Sequence, residues 1–247
     1  MSKIYEALQQ AQREQGRVRK LPVVPTPTVP RGSPARDLEL SMEKEVISLY
    51  QTIDSLLPNL AQKVIQFIGS REGEGTSTIA REFARVSATT FNDRVLLLDG
   101  NRNKPSLHLV FNLRPKYGWE DVLGDGEAVD KAVYQIGDSS LFVCPVSPHS
   151  PMSTQSVDTP KLKDLLEGLR RRFDLVLIDS SPANTSPDGI AFCPRVDGVV
   201  LILGAEKTRW QVIERVKEQI TKNGGNVLGM VFNKRRYYIP DFIYRRL

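Results

Sequence analysis

Short apolar runs alternate with amphipathic segments along the chain from about residue 41 to its end. The runs that close at Asp99 (RVLLLD) and Asp179 (DLVLID) show no polar alternation, which is typical of strands covered on both faces. The segments between most of these runs carry apolar residues at helical spacing. We therefore predict an α/β fold, a mainly parallel sheet flanked by helices. The predicted strands are 64–68, 94–98, 141–146, 174–178, 198–203 and 226–232, and the predicted helices lie near 77–90, 160–172 and 207–222.

The chain before residue 41 has a different pattern. Residues 1–16 include KIYEALQQAQRE, whose apolar positions fall on one narrow helical face, so we predict an N-terminal amphipathic helix. Such a helix is either a frayed terminus or a docking element for another protein. Residues 17–40 are rich in proline, which predicts an extended linker. The main domain is then 41–247, and it opens with an amphipathic helix that stops before Pro58.

The segment 64–84, VIQFIGSREGEGTSTIAREFA, predicts a buried strand, a glycine turn and a helix. This is the order of a phosphate-binding loop, G-x-x-x-x-G-K-[ST], in which backbone N–H groups surround phosphate and the lysine reaches its outer oxygens. Thr76 stands at the lysine position. The loop thus predicts a nucleotide site and leaves phosphoryl transfer open. The predicted nucleotide-binding residues of the loop are Gly73, Glu74, Gly75, Thr76, Ser77 and Thr78.

Two aspartates follow predicted strands of the same sheet. Asp99 and Asp179 should emerge at the edge where the glycine loop begins, because the carboxyl ends of parallel strands share one edge. An aspartate after an apolar strand is also common in ordinary turns. Together with the Ser77 hydroxyl, however, the two carboxylates form the oxygen-rich set that Mg²⁺ prefers. We predict a Mg²⁺–nucleotide site there.

Composition narrows the classes of function. The chain has 247 residues and a formal net charge of +5, with much of the basic excess near its two ends. Solvated tails explain that excess as well as an anionic partner would, and no nucleic-acid reading module accompanies it, so we expect no nucleic-acid partner. The apolar runs fall far short of the roughly 20 residues of a membrane span, and we expect a cytoplasmic protein. Both cysteines should be buried and reduced.

Four motifs occur in a fixed order: GSREGEGTST, VLLLDGNRNKPSLH, LVLIDSSP and a terminal YYIPDFIY. In this order they resemble the bacterial tyrosine autokinases of capsule and exopolysaccharide synthesis. These are deviant-Walker P-loop ATPases, related to the partitioning and division-site ATPases. The resemblance covers about 41–247. It implies a P-loop NTPase-like fold that binds ATP and Mg²⁺, acts with a membrane chain-length protein, and phosphorylates a C-terminal tyrosine cluster, often in trans within a ring.

The resemblance also assigns roles to single positions. Ser77 would hold Mg²⁺, while Asp99 matches the first aspartate of a D-x-D-x-R motif and Asp179 fits D-x-x-P. These two aspartates are the implied catalytic and metal-binding carboxylates. Asn233 matches an adenine-contacting asparagine, and residues 207–209 resemble the K-T-R start of the penultimate helix.

The catalytic set departs from that family pattern. Besides Thr76, Asn101 and Asn103 replace the second aspartate and the arginine of the D-x-D-x-R motif. Arg71 or a lysine from elsewhere would have to supply the missing charge, although guanidinium and ammonium groups seldom exchange freely. Backbone amides at a helix N-terminus would still attract phosphate. We therefore expect binding to survive where catalysis does not.

The resemblance also bears on the homo-oligomeric ring of the family and on its phosphoacceptor tyrosines. The oligomer motif E-x-x-R-x-x-R keeps Glu45 but has Ser48 and Gln51, so a homo-oligomer stays open. The terminal tyrosines are either phosphoacceptors or packing residues of a final short helix. They are Tyr237, Tyr238 and Tyr244.

Three functions follow from these observations. The first is a tyrosine-kinase-like regulator of exopolysaccharide or capsule assembly, which binds ATP and acts at the inner membrane through a chain-length partner, with impaired or absent catalysis. The second is an active tyrosine autokinase. The third is a positioning ATPase of the partitioning type, which would dimerise with nucleotide. Whether the chain is an enzyme is thus undecided at this level.

Overall fold

The computed structural model describes residues 23–24, 35–124, 126–149 and 160–235. The predicted helix over 1–16 lies outside these residues. The described strands are β1 (Val23–Val24), β2 (Lys63–Gly69), β3 (Val95–Gly100), β4 (Tyr134–Ile136), β5 (Leu141–Cys144), β6 (Leu175–Ser180), β7 (Gly198–Gly204) and β8 (Val227–Asn233). They form one sheet in the order β1-β4-β5-β3-β6-β2-β7-β8. Only the β4–β5 pair is antiparallel among these described strands.

The helices precede or follow the strands as the predicted alternation requires. They are α1 (Ala35–Leu56), α2 (Thr76–Thr90), α3 (Leu107–Val110), α4 (Trp119–Gly124), α5 (Pro160–Arg170), α6 (Pro187–Ala191) and α7 (Trp210–Lys222). Helix α1 starts at Ala35, earlier than the start expected near residue 41. None of the helices in the described part of the chain combines the length and apolar character of a membrane span.

The core lies on both faces of the sheet. On one face, α1 and α2 pack on strand residues such as Phe67 and Leu97, neither of which is exposed to solvent. On the other face, α5 and α7 cover residues such as Leu96 and Leu201, which are equally buried. Strands that are apolar at every position therefore have helices on each side, and the predicted α/β architecture is confirmed.

The carboxyl ends of the central strands define the edge where the predicted site lies. Asp99 of β3 is in register with Asp179 of β6, and β6 also pairs with β2. Strand β2 ends at Gly69, from which the glycine loop leaves the sheet. The loop and both aspartates thus share one edge, as the sequence predicted. The two cysteines are free and buried, also as expected.

Candidate functional site

The glycine loop connects β2 to α2 through two left-handed glycines. Gly73 has φ +79° and Gly75 has φ +92°, values that L side chains rarely adopt. A β-carbon on Gly75 would also lie 2.2 Å from Nδ2 of Asn233, so a side chain at this position would displace the Asn233 amide. Ser77 and Thr78 lie in the first turn of the 15-residue helix α2, whose N-terminus carries partial positive charge. The backbone therefore has the form of an anion-binding turn.

The Thr76 side chain faces the interior of the protein and does not replace the lysine of the motif. It is buried, and its hydroxyl lies 2.7 Å from the position that a β-carbon on Gly69 would take. The hydroxyl therefore sits against the end of β2. The lysine position of the motif supplies no cation.

Glu74 is turned inward and braces the loop. Its carboxylate accepts hydrogen bonds from the N–H groups of Ser70 (2.6 Å) and Arg71 (3.0 Å). From β7 and the segment after it, the Gly204 N–H (3.2 Å) and the Thr208 hydroxyl (2.5 Å) also donate to it. Burial alone would raise the pKa of Glu74, but these hydrogen bonds lower it below the ordinary 4.5. The ionised Glu74 carboxylate thus stabilises the loop and connects it to β7 and the segment that follows.

Asp179 is a buried carboxylate without a direct hydrogen-bond partner. It is 0% exposed, and neither of its oxygens has a hydrogen-bonding partner within the described residues. Burial and then the neighbouring Asp99 carboxylate raise its pKa to about 8, while the nearby Ser77 hydroxyl and Arg81 lower it in part. An unpaired buried carboxylate is costly, which is a reason to expect a ligand for it.

The Asp99 carboxylate accepts hydrogen bonds from nearby backbone N–H groups. Its oxygens accept N–H bonds from Asn101 (3.2 Å), Ser106 (3.0 Å) and Leu107 (3.1 Å). Burial still raises its pKa to about 6. In this arrangement Asp99 holds the turn that leads into α3, and the metal and catalytic role implied for it remains a prediction.

The residues at this edge fit Mg²⁺. Asp179 offers unpaired oxygens and Ser77 a hydroxyl, which with phosphate and water oxygens form the hard, oxygen-only set of that ion. No cluster of three or more acidic, histidine or cysteine side chains occurs in the ranges described, so the protein would contribute only part of the coordination. This is the usual arrangement for Mg²⁺ at a nucleotide, where water and phosphate complete the shell.

The loop after β3 is tied to its surroundings by Asn101, which replaces an aspartate of the family pattern, and by Lys104. Asn101 accepts a hydrogen bond from the Ser181 hydroxyl at 3.0 Å, which links the loop to the segment after β6. Lys104 forms an ion pair with Glu72 of the glycine loop. Asn103 is exposed, and no such contact with another described residue explains its presence.

Charge–charge contacts hold the same loop from the other side. Arg102 lies 3.5 Å from Glu120 and 3.3 Å from Asp188. Burial raises the pKa of Glu120 to about 7, although the Ser147 N–H and Arg102 act against it. The loop is therefore anchored to both α4 and α6, a role that motif spacing did not predict.

The end of β8 closes over the glycine loop. The Asn233 amide donates to the Glu74 carbonyl oxygen at 2.8 Å, and the Lys234 ammonium donates to the Gly73 carbonyl oxygen at 2.7 Å. Asn233 was predicted to contact adenine. That role is untested, but the structure brings its side chain to the loop. Lys234 was not predicted, because nothing in its sequence neighbourhood indicates the contact.

The predicted oligomer motif and the candidate phosphoacceptors stay predictions. Glu45, Ser48 and Gln51 are exposed on α1, so the predicted oligomer surface is accessible and a homo-oligomer stays a prediction. The candidate phosphoacceptors lie outside the described residues; they are Tyr237, Tyr238 and Tyr244.

No protein-family model matches the chain. It is 28% identical over 177 residues to the tyrosine-protein kinase CpsD of Streptococcus pneumoniae, covering 70% of this chain and 76% of CpsD. It is 26% identical over 174 residues to the tyrosine-protein kinase YwqD of Bacillus subtilis, covering 70% and 73%. The succinoglycan biosynthesis transport protein ExoP of Rhizobium meliloti is 28% identical over 185 residues, which cover 73% of this chain and only 23% of ExoP.

Solved structures share the fold. The kinase domain of the Escherichia coli tyrosine kinase ETK has a TM-score of 0.72 at 16% identity, covering 80% of this chain and 79% of that one. The VpsO kinase domain has a TM-score of 0.69 at 24% identity, covering 82% and 98%. MinD of Pyrococcus horikoshii, complexed with Mg-ADP, has a TM-score of 0.62 at 20% identity, covering 75% and 76%. The chain is therefore a homologue of bacterial tyrosine-protein kinases, and its fold is that of their kinase domains and of MinD-like P-loop ATPases.

Proposed function

We propose that this chain is a cytoplasmic, tyrosine-kinase-like protein that binds ATP with Mg²⁺ and regulates a membrane chain-length partner in capsule or exopolysaccharide assembly. We further propose that its phosphoryl transfer is impaired or absent. One observation carries the proposal: the phosphate-binding turn has its backbone form, while Thr76 occupies the lysine position and turns its hydroxyl back toward Gly69.

Binding is supported by groups that do not depend on the missing lysine. The loop amides and the N-terminus of α2 favour an anion. Ser77 and the unpaired Asp179 would hold Mg²⁺, which would offset the negative charge of the phosphates. The MinD neighbour was solved with Mg-ADP, which agrees with this ligand class.

Impaired transfer follows from the size of the lost interaction. A lysine at about 4 Å from a phosphate charge interacts by about 4 kcal/mol at an effective dielectric near 20. Losing that amount in the transition state slows transfer by about a thousandfold, at roughly 1.4 kcal/mol per tenfold. Asn101 adds to the loss, because an amide cannot act as a general base where an aspartate could.

The polysaccharide role and the membrane partner are supported by the relatives. ExoP is named as a transport protein of succinoglycan biosynthesis, and this chain corresponds to 23% of its length. The name of this relative, a transport protein, supports a membrane protein as the partner.

Titration with a fluorescent ATP analogue, with and without Mg²⁺, tests the binding half of the proposal. We expect saturable binding that strengthens with Mg²⁺. Asp138→Asn, a change at an exposed turn, serves as the control for Asp179→Asn, which should remove the Mg²⁺ effect. Absence of saturable binding by the wild-type chain would reject the proposal.

An active autokinase is the second candidate, because CpsD and YwqD are both named tyrosine-protein kinases. Incubation of the purified chain with ATP, Mg²⁺ and a membrane partner, followed by phosphopeptide mapping, separates the two functions. Phosphate on Tyr237, Tyr238 or Tyr244 that disappears in Asp99→Ala would favour the enzyme. An unmodified tail under conditions in which ATP is bound would favour the regulator.

A further inference from the structure

The first residue after β8 places a lysine side chain on the glycine loop. The Lys234 ammonium donates to the Gly73 carbonyl oxygen at 2.7 Å, across 161 positions of sequence. Its Cε lies 3.8 Å from the position that a β-carbon on Gly75 would take. Lys234 is therefore beside the turn that carries the predicted phosphate-binding amides.

Two other cations near the loop are engaged by carboxylates. Arg71 lies 3.9 Å from the Glu74 carboxylate, and Lys104 is paired with Glu72. Lys234 is exposed and forms no ion pair with any carboxylate in the described part of the chain. An ammonium group has three donors, and Gly73 takes one of them. Lys234 thus keeps donors and a full charge for an anion at the loop.

The backbone at Lys234 is held in an unusual conformation. Its φ is +60°, a region that non-glycine residues other than asparagine and aspartate seldom enter. The Asn233 side chain fixes it, since Asn233 Oδ1 accepts from the Lys234 N–H at 2.8 Å and Nδ2 donates to the Glu74 carbonyl at 2.8 Å. An exposed lysine–carbonyl contact gives little stability, so it does not account for the strained backbone. Strain of this kind occurs preferentially at functional sites.

We propose that Lys234 is the phosphate-binding cation of this site and takes the place of the lysine that Thr76 replaces. This inference rests on the proposed nucleotide binding and assigns a further residue to the same site. Lysine suits the role, because its flexible four-carbon stem allows the ammonium to move from the Gly73 carbonyl to a phosphate oxygen. The cation would reach the loop from β8 instead of from the loop itself.

The test compares nucleotide affinities of the wild-type chain with those of K234Q and K234G. K234Q removes the charge and keeps most of the length, while K234G removes the side chain and suits the left-handed backbone. We expect ATP to bind about tenfold or more weakly to both variants. Adenosine, which has no phosphate, should bind all of the proteins with the same Kd, once its competition is corrected for the affinity of the fluorescent analogue for each protein. K222Q, at an exposed lysine in the last turn of α7, has the same charge change and should match the wild type.

A compensating substitution makes the test specific. T76K restores the lysine of the loop, so T76K/K234Q should regain the ATP affinity that K234Q loses. Thermal melting of each variant confirms that it is folded before affinities are compared. If the wild type binds ATP and both K234Q and K234G bind it equally well, the inference is overturned while the proposed function stands. If the wild type binds no ATP, the proposed function itself fails and this inference with it.

Discussion

Glu74 illustrates how much of the site depends on a single side chain. Its carboxylate accepts from two loop N–H groups and from donors that belong to β7 and the segment after it, and it is 3% exposed. Charge-assisted hydrogen bonds of this kind are stronger than neutral ones. Glu74 therefore stabilises the turn from behind, without itself being a phosphate contact.

Glu74→Gln should lower the free energy of unfolding by about 2 kcal/mol, because the amide NH₂ would face backbone donors that now share an anion. Urea denaturation at neutral pH measures the change. Glu72→Gln is the matched control, since Glu72 is half exposed and pairs with an exposed lysine, and it should change stability by less than about 0.5 kcal/mol. Equal effects of the two substitutions would contradict the bracing role.

The raised pKa of Asp179 makes the free energy of unfolding depend on pH. Burial and then Asp99 raise its pKa from 3.8 to about 8, so between those values the folded chain keeps a proton that the unfolded chain has released. Stability from this group is therefore lost as pH rises through that window. Glu120, whose pKa burial raises to about 7, adds a slope of the same sign.

Asp179→Asn should make the chain more stable than the wild type at pH 8 and should give little gain at pH 4. Denaturation curves at a series of pH values measure this. The difference between the two proteins reports Asp179 together with its coupling to Asp99, because Glu120 is present in both. Mg²⁺ and ATP are left out, since metal binding requires the ionised carboxylate. A difference that does not change with pH would show that Asp179 is ionised in the folded chain.

At the scale of elements, α1 belongs to the folded domain and not to a linker. Val46 and Ile53 on this helix are 5% and 4% exposed within the cluster that α1 shares with α2 and the sheet. Tyr50 stacks on Phe91, with ring centroids 3.7 Å apart, and donates its hydroxyl to Asp93 at 2.7 Å. The helix is thus fixed by apolar and polar contacts together.

Ile53→Ala should reduce the free energy of unfolding by about 2 to 4 kcal/mol, because it leaves a cavity between α1 and the sheet. Leu56→Ala is the control on the same helix, where the side chain is 50% exposed, and it should cost less than about 1 kcal/mol. Chemical denaturation gives both values. If Ile53→Ala were as mild as the control, α1 would be only loosely attached to the domain.

Sequence patterns predicted the long elements and missed the short ones for a physical reason. Strands such as β3 are long enough to give a continuous apolar run, and helices such as α7 are long enough to show a helical period. Helices α3 and α6 span about one turn, and β4 has three residues, so none of them contains a full repeat. The start of α1 was predicted too late, because the proline-rich segment was taken to continue to residue 40.

The same limit applies to the site. Motif order placed Ser77, Asp99 and Asp179 at one edge, because parallel strands share their carboxyl ends. It could not place Lys234 on the glycine loop, since that contact depends on a left-handed turn after β8 and on a strand order that spacing does not encode. Nor could it show that Asp99 is satisfied by backbone N–H groups while Asp179 is not.

At the scale of the whole molecule, the candidate site joins distant parts of the chain. Lys104 contacts Glu72, the Asn101 side chain contacts Ser181, and Asn233 contacts the loop at Glu74. The loops after β2, β3, β6 and β8 are therefore linked at one edge of the sheet. A ligand bound at this edge would stabilise all of these connections together, and hence the folded domain as a unit.

ATP with Mg²⁺ should raise the melting temperature in proportion to the logarithm of its concentration once that exceeds Kd. At a hundredfold excess over Kd the stabilisation is about 2.7 kcal/mol, which corresponds to a shift of roughly 5 to 10 °C for a domain of this size. Differential scanning calorimetry with ATP, ADP and adenosine measures it. Chelation of Mg²⁺ should shrink the shift for ATP and leave adenosine unchanged, because only the phosphates share the metal. If ATP and adenosine gave the same shift, the ligand would be held by its base alone, and the glycine loop would not be a phosphate site.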